Sequence, residues 1–490
     1  MAPIAVAEPV VPLPAATSTK SAIVEMSVAA AASSLASASS SLFGPNTSAV
    51  LHGAKDLRIE ERPYAAPAAD EVQIRVRATG LCGSDLHYYL HGRNGDFALQ
   101  HPMCLGHESA GEVVAVGSSV PAHAGLQVGD RVAIEAGRFC GSCSKCRDGR
   151  YNLCKGMRFA SSAKTFPHLD GTLQKYMNWP HWLVHKLPAN VSLTSAALCE
   201  PLSVVLQGIR RSNLQPGQSV LVYGAGAVGL LACAAAKASG ASFVAAVDID
   251  QGRLAFAAAN GWVDATYLLP KGPAPTTATQ TNGASASAAP LDARAQRVAE
   301  DKASVAAASD AAQTLLKALT TLPVDTQNTT GYATQPAPWD LASEGFDVVY
   351  ECTGVPSCVS TGVFAARAGG KVVLIGMGNP IQTLPIGAAS LREVDIVGVF
   401  RYANTYPVAL GLLAGGTLRA QGGGLHAQFK QDDSQHEGLG AGKKMGGIEN
   451  LVSHTYPLQQ ASLAFETLAN GKDTAQGRGV VKVFIVDDQL

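Results

Sequence analysis

Ser219-Val-Leu-Val-Tyr-Gly-Ala-Gly-Ala-Val-Gly229, continued by an alanine-rich run to Ser239 and then by Phe243-Val-Ala-Ala-Val-Asp248, sets the architecture. A short apolar run bounded by glycine reads as a buried strand, Ala227 to Ser239 as a helix, and Phe243 to Val247 as a second buried strand. Together they form a βαβ unit. Gly224, Gly226 and Gly229, with Val228 between them, match G-x-G-x-x-G where that motif has meaning, after a strand and at a helix start. The glycines permit a tight turn, close approach of the backbone to a pyrophosphate, and close packing of helix on strand. The helix N-terminus then holds the negative charge without a cationic side chain. Asp248 ends the second strand, 19 residues after Gly229, where a carboxylate accepts hydrogen bonds from adenosine ribose hydroxyls. It repels a 2'-phosphate, so NAD is expected over NADP. Arg253 would either attract such a phosphate or lie flat over the adenine.

Outward from this unit, Phe346 to Tyr350, Lys371 to Ile375 and Asp395 to Val399 read as further strands with helices between them. The expectation is an α/β Rossmann fold, a doubly wound parallel sheet over residues 204–402. The preceding sequence has a different rhythm. Glu71-Val-Gln-Ile-Arg-Val-Arg-Ala78 and Gly111-Glu-Val-Val-Ala-Val-Gly117 alternate with period two, so residues 46–203 read as a β-rich, antiparallel domain with loops full of Cys, His and Glu. Residues 403–490 are expected to complete it. Residues 1–45 read as a disordered tail, 271–339 as a low-complexity surface insertion whose central piece, Ala293 to Leu319, is compatible with a helix of no assigned role, and 421–447 as a surface loop, because their compositions bury too little to order themselves.

At 490 residues with 47% hydrophobic composition, the chain is long enough for more than one core. Thirty-seven basic against 38 acidic residues leave a net charge of -1, so neither nucleic acid nor an anionic membrane is an expected partner. A small neutral ligand fits that balance. Ten cysteines in so long a chain do not make a secreted disulfide scaffold. A reducing, cytoplasmic location follows. Residues 1–45 carry Lys20 as their one basic residue together with Glu8 and Glu25, unlike an Arg-rich presequence. The apolar stretch from Ser21 to Phe43 is diluted by serines and has no basic flank, so no membrane span is expected.

Cys140, Cys143, Cys146 and Cys154 form C-x2-C-x2-C-x7-C, which lets one loop wrap four thiolates around a tetrahedral zinc. Four thiolates close the shell, so this ion would be structural. A second set is dispersed: Cys82 in Cys82-Gly-Ser-Asp-Leu-His-Tyr-Tyr89, His107 and Glu108 in Gly106-His-Glu-Ser-Ala-Gly111, and Glu200 in Glu200-Pro-Leu-Ser-Val204. Singly, a cysteine is most often a small apolar core residue and His-Glu is common on surfaces. As a set, with Val399-Phe-Arg-Tyr-Ala-Asn-Thr-Tyr-Pro407, they resemble the polyol dehydrogenase branch of the zinc-containing medium-chain dehydrogenase family.

That resemblance implies a GroES-like catalytic domain beside the Rossmann domain, and a zinc-dependent transfer of hydride from a secondary hydroxyl of a xylitol- or sorbitol-type sugar alcohol to NAD, giving a ketose. It makes Cys82, His107 and Glu108 the ligands of a catalytic zinc, with Glu200 completing or exchanging with the shell, so two zinc ions per chain are expected. One thiolate and one carboxylate neutralise the ion, and an open position admits a substrate hydroxyl. By the same resemblance Ser84 and then His87 pass the released proton outward through the cofactor ribose. Asp85 is expected to orient the histidine ligand. Tyr88, Glu200, Arg401 and Tyr402 match positions facing the polyol, and Ile375, Gly376, Met377, Val399, Phe400 and Arg401 match the loops that cradle the nicotinamide, while Val399 and Phe400 could equally be core. A homo-oligomer, dimer or tetramer, is implied. The four-cysteine loop, absent from some sorbitol dehydrogenases, leans toward microbial xylitol or L-arabinitol enzymes. The competing readings are another zinc alcohol dehydrogenase, a zinc-free quinone or enone reductase, which would lack the Cys82 set, and a catalytically silent protein, which would have lost a ligand or Asp248.

Overall fold

The computed structural model describes residues 45–270, 291–322, 333, 335–418, 447–471 and 479–487. The tail expected over residues 1–45 lies outside them except for Pro45, and the loop expected over 421–447 except for Gly447.

Two sheets organise the described residues from 46 onward. The first runs Val184–Lys186, Arg131–Ile134, Glu108–Val116, Glu71–Gly80, Lys482–Val486, Val452–Pro457, with Tyr176–Pro180 also pairing Glu71–Gly80. All its pairings are antiparallel but the last, in which Val452–Pro457 and Lys482–Val486 run parallel across the helix Ala461–Asn470. The C-terminal strands therefore insert beside Glu71–Gly80 instead of forming a sheet of their own. Alternation fits this surface: Val72, Ile74 and Val76 turn one way into the core, beside Val113, Val132 and Trp179.

Register is what builds the site. Gly80 pairs with Glu108 on one side and with Phe484 on the other. The ends of three neighbouring strands thus meet, placing Cys82 two residues beyond one end, His107 just before the second and Lys482 inside the third. A side chain at Gly80 would lie 2.4 Å from the Glu108 carboxylate and 3.2 Å from the Lys482 stem, so glycine is required there by close approach.

The second sheet is wholly parallel, in the order Ala265–Leu268, Phe243–Asp248, Ser219–Tyr223, Phe346–Glu351, Ala366–Leu374, Asp395–Gly398. Strand order reverses between Ser219–Tyr223 and Phe346–Glu351, so a crevice opens beyond Tyr223 and Glu351. The helix Ala227–Ala238 is buried without interruption from Gly229 to Ala236, since alanine lets it lie close to the sheet. The helix Cys199–Ser212 leads from the first sheet into the second.

One expectation is corrected. Residues 271–339 are not a surface insertion throughout: the piece compatible with a helix lies within the helix Leu291–Thr321, and that helix packs on the core. Its second half buries Ala312, Leu315, Leu316 and Leu319 in the core formed by Leu221, Tyr223 and Val363. These four recur at helical spacing on one stripe, which suffices to dock a helix. The surrounding alanine, serine and threonine conceal the stripe from a compositional reading.

Candidate functional site

Cys82 is the N-cap of the helix Gly83–His91, so its sulfur stands at the positive end of the helix dipole. Asp85, one turn in and fully buried, is the organiser. Its Oδ2 accepts the Cys82 backbone N–H at 3.3 Å, and its Oδ1 accepts from Ser161 Oγ at 2.6 Å and from Gly106 N at 3.3 Å. The same Oδ1 lies 3.3 Å from His107 Nδ1. The carboxylate thus faces the Nδ1 edge of the imidazole, the arrangement in which Nε2 is the nitrogen offered to a metal. Burial alone would raise the Asp85 carboxyl, but His107, Ser161 and Gly106 outweigh it and the net shift is downward.

The ligand atoms of Cys82, His107 and Glu108 all lie within 4.8 Å of one another. Thiol, imidazole and carboxylate converging on one point is a donor set suited to zinc. Charge points the same way. Asp85, Glu108, Glu200 and Lys482 are each no more than 5% exposed, with Asp85 against His107 and both glutamates near the Lys482 ammonium. Lys482 Nζ sits 2.6 Å from Glu108 Oε1 and 2.5 Å from Oε2. Burial opposes the charge on Lys482, yet Glu108 and Cys82 override it and its pKa is raised. His107 follows the same pattern: burial disfavours the cation, and Asp85 and Cys82 pull its pKa well above the usual imidazole value. Glu200 bears the surplus, since burial and the neighbouring Glu108 push it up to about 7. A metal cation among these donors would favour the ionised form of Glu200.

Arg401 approaches from the Rossmann side. Its guanidinium lies 3.9 Å from the centre of the Phe159 ring and 4.9 Å from that of Phe400, and its Nη1 is buried without a partner. Phe159 in turn meets the His107 ring edge-on at 5.4 Å. Tyr402 is buried beside Glu200, its hydroxyl also unpartnered. Tyr88 is buried too, with its hydroxyl accepting from Ala163 N at 2.9 Å and keeping its proton free to donate. Unpaired buried polar groups beside a carboxylate are suited to hydroxyl partners. On the helix after Cys82, Ser84 is half-buried and His87 exposed, one turn further along.

Across the crevice, the glycine turn takes the form the motif requires. Gly224 has φ +91, and a side chain there would lie 2.8 Å from Thr353. At Gly229 it would collide with the Gly224 carbonyl, whereas at Gly226 it would meet nothing within 4 Å. Gly226 therefore offers an open backbone surface of the kind a pyrophosphate needs. Asp248 is buried at its strand end, accepting from Ala225 N at 2.5 Å and from Asp250 N at 2.8 Å. Arg253 is half-buried on the following helix. Opposite, Ile375-Gly376-Met377 packs on Thr353-Gly354, which the buried Glu351 holds through backbone N–H groups at 2.8 and 2.9 Å. Val399 is half-buried and packs against the core, whereas Phe400 and Met377 are exposed.

Cys140, Cys143, Cys146 and Cys154 form the second cluster, all free thiols within 4.8 Å of one another. Their sulfur separations are 3.8 Å for Cys140–Cys146, 3.5 Å for Cys143–Cys146 and 3.5 Å for Cys140–Cys154. A tetrahedron with metal–sulfur bonds of about 2.3 Å has edges of about 3.8 Å, so the sulfurs already stand near their places around a zinc.

Sequence reading missed Lys482, Ser161 and Phe159. Lys482 had a signal, a lone lysine in the apolar strand Lys482–Val486. Ser161 and Phe159 have none, because only the tertiary fold brings them to Asp85 and His107.

Comparison with known proteins agrees with this geometry. The family model of the alcohol dehydrogenase GroES-like domain matches residues 68–189, and that of zinc-binding dehydrogenases matches residues 299–415. The latter match begins within the helix Leu291–Thr321. The chain is 38% identical over 412 residues to a D-xylulose reductase A of Aspergillus niger, covering 83% of this chain and 96% of that protein. To the sorbitol dehydrogenase of Bos taurus it is 34% identical over 426 residues, covering 87% and 94%. Among solved structures, an Escherichia coli oxidoreductase/dehydrogenase of unknown specificity superposes with a TM-score of 0.65 at 26% identity, covering 91% of this chain and 99% of the other. The chain belongs to the zinc-containing medium-chain dehydrogenase family, in its polyol dehydrogenase branch.

Proposed function

We propose that this protein oxidises one secondary hydroxyl of an acyclic polyol of the xylitol or sorbitol kind to a ketone, with NAD as hydride acceptor and a zinc ion held by Cys82, His107 and Glu108. The observation that carries the reading is the convergence of those three ligand atoms, with a half-buried Arg401 whose Nη1 is unpartnered held on Phe159 next to the His107 ring. Likeness to proteins named sorbitol dehydrogenase and D-xylulose reductase supports it, since reduction of the ketose is the same reaction run backward. NADH formation with a panel of polyols tests it.

In this mechanism zinc, when bound, supplies the Lewis acidity that lets a substrate hydroxyl lose its proton near neutral pH. Asp85 keeps His107 oriented, and Lys482 holds the Glu108 carboxylate at the edge of the shell. Glu200 completes the shell or exchanges with it. Arg401, Tyr402 and Tyr88 bind the remaining hydroxyls and so choose which carbon is presented. Ser84 would accept the released proton as it hands on its own, and His87, exposed one turn away, would deliver a proton to solvent. The glycine turn and the loops at Ile375–Met377 and Val399–Arg401 orient the nicotinamide.

Two zinc ions per chain are proposed, with separable roles. Cys146→Ser is expected to remove only the ion of the four-cysteine loop, taking zinc content from two to one per chain and lowering Tm by at least about 5 °C, as expected for a loss of several kcal/mol. Metal analysis and thermal unfolding check this. An unchanged Tm with both ions retained would refute it.

NAD is proposed over NADP because Asp248 would confront a 2'-phosphate. Asp248→Ser is expected to narrow the NAD preference in kcat/KM by at least about tenfold, the equivalent of about 1.4 kcal/mol of charge repulsion. A wild-type preference for NADP would overturn the assignment.

A homo-oligomer is supported by the outer edge of Asp395–Gly398, which pairs with no further strand among the described residues and lies near the exposed Ile386 and Leu391. No described helix is long and apolar enough to cross a membrane. Ten free thiols support a cytoplasmic location.

A further inference from the structure

The segment Phe400–Asn404 carries Arg401 and Tyr402, and it is an unusual piece of backbone. Arg401 and Asn404, neither of them glycine, have φ of +50 and +56. Such conformations persist only where the surroundings hold them. One side of the segment is held by the Rossmann domain, where Arg210 donates to the carbonyls of Ala403 at 2.8 Å and Asn404 at 3.2 Å.

The other side is held by the four-cysteine lobe. Asn152 Nδ2 donates to the Phe400 carbonyl at 2.8 Å, Asn404 Nδ2 donates to the Gly149 carbonyl at 2.8 Å, and Asn404 N donates to the Tyr151 hydroxyl at 2.7 Å. The Tyr151 hydroxyl passes its own proton to Glu135 Oε1 at 2.5 Å, so its acceptor side is fixed toward Asn404. Tyr151 is further set by stacking on Phe139 at 4.2 Å, and it packs with Cys154, Met157 and Ala403 in one small apolar cluster. Gly149, Tyr151 and Asn152 all lie between Cys146 and Cys154, inside the loop that the four thiols would gather. Both ends of the strained segment are thus tied to that lobe.

We propose that Tyr151 and Asn152 are positioning residues for substrate: by clamping Phe400 and Asn404 they hold Arg401 and Tyr402 in the geometry that recognises a polyol, so the four-cysteine lobe serves substrate selection as well as stability. This rests on the reading of Arg401 as a substrate contact.

The test measures KM and kcat for xylitol, NADH affinity by fluorescence titration, and zinc content, in the wild type and in Tyr151→Phe, Asn152→Ala and their double variant. Tyr151→Phe keeps the ring and its stack but loses the acceptor for Asn404 N. Each single variant is expected to raise the xylitol KM about tenfold, the scale of one lost hydrogen bond, with kcat within threefold, two zincs retained and NADH affinity unchanged. Asn152→Gln, which keeps the donor, is expected to restore part of the lost affinity. A merely structural role would lower the active fraction, and hence kcat, leaving KM alone. A folded double variant with two zincs and a xylitol KM within twofold of wild type overturns the proposal. Should the double variant not fold, Tyr151→Phe decides by the same criterion. Arg401→Ala separates the two levels: if it leaves the xylitol KM unchanged, the substrate-pocket reading itself falls, whereas a raised KM there with none in the lobe variants removes only this inference.

Discussion

Cys82→Ser is expected to lower kcat/KM for xylitol by at least about 10³-fold while the chain stays folded and binds NADH. Serine is neutral at pH 7 where a ligating cysteine is a thiolate, so the shell loses both its soft donor and one of the charges that neutralise the ion. A Lewis-acid contribution of about 4 kcal/mol to the chemical step corresponds to that factor. The fold is insulated from the change. Cys82 is half-buried at a helix N-cap; Asp85 holds Cys82 N, Gly106 and Ser161 without using the sulfur, and serine at an N-cap keeps the acceptor that the Cys82 side chain offers the Asp85 backbone N–H. The glycine turn of the cofactor crevice belongs to the other sheet. Steady-state rates, NADH fluorescence titration and metal analysis read the outcome. A variant that keeps more than a tenth of wild-type turnover would show that Cys82 is not a ligand of the catalytic metal.

The second large effect concerns what the site selects. Arg401→Ala is expected to lower kcat/KM for xylitol by about 10²-fold and to leave ethanol turnover within about threefold. The guanidinium is half-buried, stacked between Phe159 and Phe400, with one nitrogen lacking any partner. Burial lowers its pKa; a guanidinium keeps its charge in proteins, so it is a cation that a hydroxyl-rich ligand satisfies and an alkyl chain does not. A hydrogen bond to a charged group contributes about 1.5–3 kcal/mol, which sets the size of the loss. Ethanol has no second hydroxyl to offer and therefore little to lose. Comparison of kcat/KM for both alcohols in wild type and variant decides it. Equal losses for ethanol and xylitol would mean that Arg401 supports the fold or the cofactor instead of the polyol.

Much of the fold was legible because its strands are either buried on both faces or strictly alternating. Ser219–Tyr223 and Phe243–Asp248 stand out as continuous apolar runs around a glycine turn, and Glu71–Gly80 as period two. A helix over Ala293 to Leu319 was legible, but its docking was not, because the stripe of Ala312, Leu315, Leu316 and Leu319 sits in a run whose composition resembles a disordered linker. Among site residues, those with motif spacing could be named from the chain: Cys82, His107, Glu108, Glu200 and the four cysteines. The others depend on strand register. Lys482 reaches Glu108 only because Lys482–Val486 enters the sheet beside Glu71–Gly80, some four hundred residues downstream in sequence. The tie between Asn152 and Phe400 is of the same kind, a backbone contact that no local pattern encodes.

The central claim is that the buried donors around the Cys82, His107 and Glu108 cluster select a polyol. Its most direct test is the ratio of kcat/KM for xylitol to that for ethanol in the wild-type protein, followed as NADH formation with NAD and zinc present. Sites built to bond hydroxyl groups reject ligands that lack them by several kcal/mol, so the ratio is expected to reach roughly 10⁴, with a ketose as product. A ratio near one, or NADH formed from ethanol and from none of xylitol, D-sorbitol and L-arabinitol, would contradict it.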